Sequence, residues 1–148
     1  MEDETDLTQY REHIGVEIDL HTRERIYTPI VVSLYDEFIS SGSANELSRL
    51  VALLPTEQYP LVLHSLSTHV TREKAAWVTQ FASQLEISAT DTAYLGAVSE
   101  LLWTAALIAD DIEDDDMQRA NIETVWVRYG KQDAFKAWNR RIQIKITL

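Results

Sequence analysis

The chain has 148 residues, no cysteine and a formal net charge of −11, which excludes disulfides, thiolate zinc sites and cysteine nucleophiles. It also argues against a nucleic-acid backbone or an anionic lipid surface as the main partner, since those need clustered Lys and Arg; a cationic partner, or an anionic one bridged by metal, fits better. The start, MEDETDLTQY, is acidic rather than a basic segment followed by an apolar one, and the longest uncharged apolar run falls short of a membrane span, so a soluble cytoplasmic protein with no transmembrane segment is expected.

With four glycines and three prolines, few positions can break a helix, and apolar residues recur at three- and four-residue steps nearly throughout. The expectation is an all-α helical bundle, one domain over residues 1–148. The first clear element runs from Thr28 to Ile39, with Thr28 as cap, Pro29 at the first helical position and a stripe of Ile30, Val31, Leu34, Tyr35 and Phe38. A break at Gly42 precedes a second helix, with Ser43 as cap and Glu46 as its capping-box partner. Pro55 and Pro60 bracket another break, followed by helical stretches in LVLHSLSTHV and REKAAWVTQFASQL. Ser88 to Asp91, SATD, then opens a long helix. The terminal RRIQIKITL alternates with period two and reads as a strand-like, atypical tail over 140–148.

The long helix carries the most informative stretch. In LLWTAALIADDIEDDDMQRA, nine uncharged residues meet a run in which six of the next seven are carboxylates. Residues four apart on a helix are neighbours, so Asp110 with Asp114 and Asp111 with Asp115 repel, and the helix dipole disfavours anions at this end. One reading is a solvated acidic turn. The other is a platform of rigidly anchored hard oxygens suited to Mg²⁺, which takes one or two protein carboxylates together with water and substrate phosphates. On the second reading Leu101, Leu102, Ala105 and Ile108 pack inward, while Asp110, Asp111 and Asp114 face a cavity. His64 and His69 lack metal-ligand spacing and read as structural or surface residues.

ALIADDIEDDDMQRANIETVWVRYGKQDA resembles the first aspartate-rich region of trans-isoprenyl diphosphate synthases, the polyprenyl synthetases. Their pattern is an apolar helix, DDxxD, RRG, a Thr-Val pair and Tyr-Gly. Here Asp110, Asp111 and Asp114 stand for DDxxD, Arg119 for the first arginine, then Thr124, Val125, Tyr129 and Gly130. The resemblance implies that Mg²⁺ held at Asp110, Asp111 and Asp114, with Arg119, grips the diphosphate of an allylic substrate as its C–O bond ionises. Isopentenyl diphosphate then attacks the cation. Upstream, HVTREKA stands where the family has GGKRxRP, which implies that Arg72 and Lys74 contact the diphosphate of isopentenyl diphosphate.

The pattern is incomplete. Thr71 replaces a lysine, Ala120 and Asn121 replace the second arginine and the glycine of RRG, and Trp103 stands where the family often has histidine. The resemblance covers roughly Tyr59 to Asn139, the first half of such an enzyme, without its catalytic lysine or second acidic motif, so the expected bundle is of the isoprenoid synthase type but incomplete. No residue is assigned a catalytic proton or nucleophile. The function implied is a polyprenyl or geranylgeranyl-type prenyltransferase, as a truncated or degenerate chain that forms a homo- or hetero-oligomer, with a dimer as the simplest form. The alternatives are a non-catalytic partner of a full-length synthase and a terpene cyclase. Small Ala105 and Ala106, five and four residues before DDxxD, leave room for a long product.

Overall fold

The computed structural model of the protein describes residues 29–69 and 72–139. In chain order these form α1 (Pro29–Ser40), α2 (Ser43–Ala52), α3 (Tyr59–Thr68), α4 (Glu73–Gln84), α5 (Ala89–Glu113), β1 (Gln118–Arg119), β2 (Ile122–Glu123), α6 (Val125–Tyr129) and α7 (Lys131–Asn139). The all-α expectation holds. The Thr28 cap and the strand-like tail lie outside the described residues, as do the side chains of Ile30, Val31 and Tyr35. Of the stripe expected on α1, Phe38 is fully buried and Leu34 half-buried.

The long helix α5 is the axis of the bundle and touches α2, α3, α4, α6 and α7. It starts as SATD suggests: the Ser88 Oγ accepts the Asp91 N–H at 3.1 Å, satisfying one of the free donors of the first turn. One core cluster gathers Phe38, Leu47, Leu50, Val51, Val62, Leu66, Ala97 and Leu101 between α1 to α5. Each fully buried side chain of this size contributes roughly 1.5–3 kcal/mol relative to exposure. A second cluster, Leu61, Ile108, Val125, Ala134 and Ala137, binds the acidic end of α5 to α3, α6 and α7.

Close approach of α5 to its neighbours depends on Gly96, where an added Cβ would lie 2.2 Å from the Ser43 Oγ and 2.9 Å from the Thr79 Cγ2. That contact explains a departure from expectation at α2. Ser43 does not cap the helix. Gly42 does, in the left-handed region at φ 83°, while Ser43 is fully buried inside the first turn with its hydroxyl 2.9 Å from that of Ser41. Glu46, freed from a capping box, pairs with Arg49 at 2.6 Å. A second departure concerns α5 itself, which is long and apolar enough by length and composition to cross a membrane. Core helices of bundles share that property, and α5 carries a fully buried Glu100 at mid-length, paired with Arg72.

Candidate metal and diphosphate site

The acidic run is split by a turn. α5 ends at Glu113; Asp114 donates its N–H to the Asp110 carbonyl at 2.9 Å, Asp115 takes the left-handed conformation at φ 55°, and Asp116 donates back to the Asp111 carbonyl at 3.0 Å. This six-to-one bond is the Schellman way of closing a helix, with aspartate in the place usually held by glycine. The turn carries Asp115 off the helix, which relieves its repulsion with Asp111. Two downstream cations then meet the acids: Arg119 reaches Asp110 and Asp111, and Lys131 pairs with Asp115.

The segment that delivers Arg119 is the β1–β2 hairpin, paired antiparallel as Gln118 with Glu123 and Arg119 with Ile122. Its two turn residues, Ala120 at φ 50° and Asn121 at φ 64°, both take the positive φ that a type I′ connection needs. The hairpin is tied down on both sides. Thr124, fully buried, donates its hydroxyl to the Asp116 carbonyl at 2.7 Å, and the Trp126 indole N–H joins it at 2.8 Å. His64 Nε2 lies 2.6 Å from the Glu123 carbonyl, and the Tyr129 ring meets the His64 ring edge-on at 5.8 Å. Thr124, and Tyr129 through His64, therefore hold the loop that presents Arg119, and His64 is structural.

The three aspartates occupy different places. Asp110, with its side chain 57% exposed, and Asp114 both face outward, one helical turn apart. Asp111 points inward at 3% exposure, and its Oδ1 accepts two donors from Arg119, Nε at 3.1 Å and Nη2 at 2.6 Å. Burial raises the Asp111 carboxyl above the ordinary carboxylate range, opposed by the Arg119 hydrogen bond, while Asp111 holds the guanidinium still more firmly protonated. Asp111 is thus an anchor for Arg119 and does not reach the outer face with the other two. Asp110 and Asp114 open onto solvent beside an apolar stripe, where a cavity was expected.

Arg72 and Lys74 are also separated. Arg72 is buried at 1% exposure with φ 51°; its guanidinium donates to the carbonyls of Leu66 at 2.9 Å and His69 at 2.5 Å, which end α3. Its charge is met by Glu100 at 3.9 Å, and the other Glu100 oxygen accepts the Ala75 N–H at 2.9 Å, capping the start of α4. His69 completes this buried group. Its Nδ1 lies 2.9 Å from the Ser65 carbonyl and its Nε2 3.3 Å from the Thr104 hydroxyl. Burial, with the Arg72 charge second, pulls the His69 imidazole down to about 3, so it stays neutral. The Arg72 side chain turns into the core rather than outward. Lys74 stays at the surface, 3.0 Å from Glu73 and with its ammonium 4.4 Å from the centre of the Trp103 ring.

Between α4 and α5 lies an open groove of about 460 Å³ lined by Lys74, Trp77, Val78, Ser99, Leu102 and Trp103. Leu102, expected inward, is 60% exposed, Ala106 lies outward beside it, and Ala105 is half-buried. Leu102, Ala106 and Asp110 recur at four-residue spacing and share one outward face, so the apolar stripe runs directly into the first aspartate of the acidic pair. Leu101 and Ile108 are buried as expected.

Residues 62–139, more than half of the 148, match the family described as polyprenyl synthetase. The chain belongs to the polyprenyl synthetase family. Comparison with curated proteins gave no match, and comparison with solved structures gave none. The match spans the groove, the acidic end of α5 and the hairpin, so the Asp110, Asp111, Asp114 pattern and Arg119 lie within it. Polyprenyl synthetases generally use Mg²⁺ with allylic and isopentenyl diphosphates. Two exposed carboxylates one turn apart suit Mg²⁺, which keeps several waters and takes phosphate oxygens. Among the described residues no group of three or more Asp, Glu, His or Cys side chains could hold a metal ion. Sequence reasoning missed Glu100, whose signal was a lone acid in an apolar helix, and the outward-facing Trp77 and Phe81, 66% and 68% exposed.

Proposed function

We propose that this chain binds an allylic prenyl diphosphate as a prenyltransferase of isoprenoid biosynthesis, with its diphosphate on Mg²⁺ at Asp110 and Asp114 and its hydrocarbon along Ala106 and Leu102. The observation that supports this is the shared face of Leu102, Ala106 and Asp110: apolar surface and charged terminus lie in line, matching a molecule with a hydrocarbon tail and an anionic head. The bound metal supplies charge withdrawal from the departing diphosphate. Asp110 and Asp114 orient it, and Arg119, anchored by Asp111, stands at the edge of the same site. In the full reaction the allylic C–O bond breaks with its electron pair leaving on diphosphate. The double bond of isopentenyl diphosphate attacks the allylic carbon, and a proton is lost. Lys74 is the surface cation for the second diphosphate.

A second reading, that the chain is a non-catalytic partner of a full-length synthase, is favoured by two observations. Arg72 is committed to the core, which leaves Lys74 as the outward cation of that segment among the described residues, and Trp77, Phe81, Leu85 and Leu102 present uncovered apolar surface. Calorimetry with Mg²⁺ and an unreactive allylic diphosphate analogue tests the binding site. Asp110→Ala combined with Asp114→Ala should abolish the heat given by the wild type, and equal heats would remove the site. A radiolabelled condensation assay, with and without a full-length synthase, separates the readings. Turnover by the chain alone supports an enzyme, and no turnover with altered partner activity supports a subunit.

A further inference from the structure

We infer that Arg119 is an internal counter-ion that occupies Asp110 until a diphosphate arrives, so that a divalent cation alone finds the site half-blocked. The inference rests on the reading of Asp110 and Asp114 as the metal carboxylates. Its own basis is the way one guanidinium bridges both acids. Nη2 lies 2.6 Å from the Asp111 Oδ1 and 3.3 Å from the Asp110 Oδ2, with Nε also on Asp111. The Asp111 contact is short, doubled and part-buried; the Asp110 contact is single, longer and exposed. The same Nη2 thus holds one acid firmly and the other loosely.

The surroundings enforce this asymmetry. Arg119 sits in a two-residue strand whose turn is locked in the positive-φ region and whose flanks are held by Thr124, Trp126 and His64. The hairpin and Asp111 therefore hold the guanidinium in place, and the contact of Nη2 with Asp110 is the one that can be given up. A metal that takes Asp110 must break this contact, and metal bound to diphosphate offers phosphate oxygens in exchange for the lost carboxylate. The exchange costs little when both arrive together and more when the metal comes alone. The other nearby cation, Lys131, is paired with Asp115.

Calorimetric titration with MgCl₂ alone and with Mg²⁺ plus inorganic diphosphate tests the inference on the wild type, Arg119→Gln, Arg119→Lys and Asp110→Asn. Releasing an exposed ion pair corresponds to about 1 kcal/mol at most, so Arg119→Gln should bind Mg²⁺ alone up to about five-fold tighter and Mg²⁺ diphosphate more weakly. Arg119→Lys keeps the charge but loses the Nε and Nη2 pair that grips Asp111 and so holds Nη2 against Asp110. It should also tighten Mg²⁺ alone, which an effect of net charge would not produce, and it carries the test if Arg119→Gln fails to fold. Unchanged or weaker binding of Mg²⁺ alone by the folded variants overturns the counter-ion role while the site stands, provided Asp110→Asn still loses Mg²⁺ diphosphate. If Asp110→Asn binds Mg²⁺ diphosphate like the wild type, the site reading and the inference fall together.

Discussion

Replacing Glu100 by alanine removes the acid that meets Arg72 and caps α4, and the two roles can be weighed separately. The wild-type carboxylate lies 3.9 Å from the Arg72 Nη1 and accepts the Ala75 N–H at 2.9 Å, with both charged side chains about 1% exposed. Breaking a buried pair from one side costs about 3–5 kcal/mol, because the remaining charge stays in the core. That is a large share of the roughly 5–15 kcal/mol that holds an ordinary domain together. Glu100→Gln also leaves the Arg72 charge unmet but keeps an oxygen for the Ala75 N–H, so its loss should be smaller than alanine's by about 1 kcal/mol. Burial raises the Glu100 carboxyl, with Arg72 and the Ala75 N–H opposing. The stability tied to this proton is therefore present below the ordinary carboxylate value of 4.5 and falls as pH rises through the raised one. Urea unfolding followed by circular dichroism measures both variants. Equal losses for alanine and glutamine, or an alanine loss under about 1 kcal/mol, would refute the division of labour assigned to Glu100.

His69→Gln should flatten the acid limb of the stability curve. The native imidazole titrates near 3 against 6.5 in the unfolded chain, so the wild type keeps this contribution above 6.5 and loses it as pH falls, to a ceiling of about 5 kcal/mol; unfolding free energies at pH 7 and pH 5 check the slope. Gly96→Ala should lower stability by about 2 kcal/mol through its clash with Ser43 and Thr79, and adding Ser43→Ala, which removes the nearest atom, should recover part of the loss in a double-mutant cycle. If the exposed apolar face drives association, Phe81→Glu with Leu102→Glu should reduce it in sedimentation with little change in melting temperature, since both side chains are more than half exposed. Unchanged association would show that this face does not drive it.

The helical architecture was legible because its signals are local: SATD at Ser88, Pro60 in the first turn of α3, and three- and four-residue apolar spacing. The Ser43 cap was misread because Gly96 presses against that residue from 53 positions away, and spacing along one helix carries no record of its neighbour. In the site, the clustering of Asp110, Asp111 and Asp114 was legible, but their division was not. Which carboxylate faces inward depends on where α5 sits on α3 and α7, and the hairpin that brings Arg119 to Asp111 is too short to show as a strand pattern. Arg72 illustrates the same limit. A cation beside a helix start reads as a surface charge, and only an acid 28 residues away, at Glu100, makes its burial tenable.

The Lys131 ammonium sits 4.8 Å from the centre of the Trp126 ring while also pairing with Asp115, and the indole N–H of Trp126 donates to the Asp116 carbonyl. Trp126 is thereby wired to the acidic turn through its ring face and its polar edge. A cation that drew Asp115 away from Lys131 would change the field across the indole and with it the emission. Trp126 would then serve as an optical reporter of the acidic turn. Tryptophan fluorescence, read against a Trp126→Phe variant that leaves the other three tryptophans in place, can follow occupancy of the acidic turn in real time without any label.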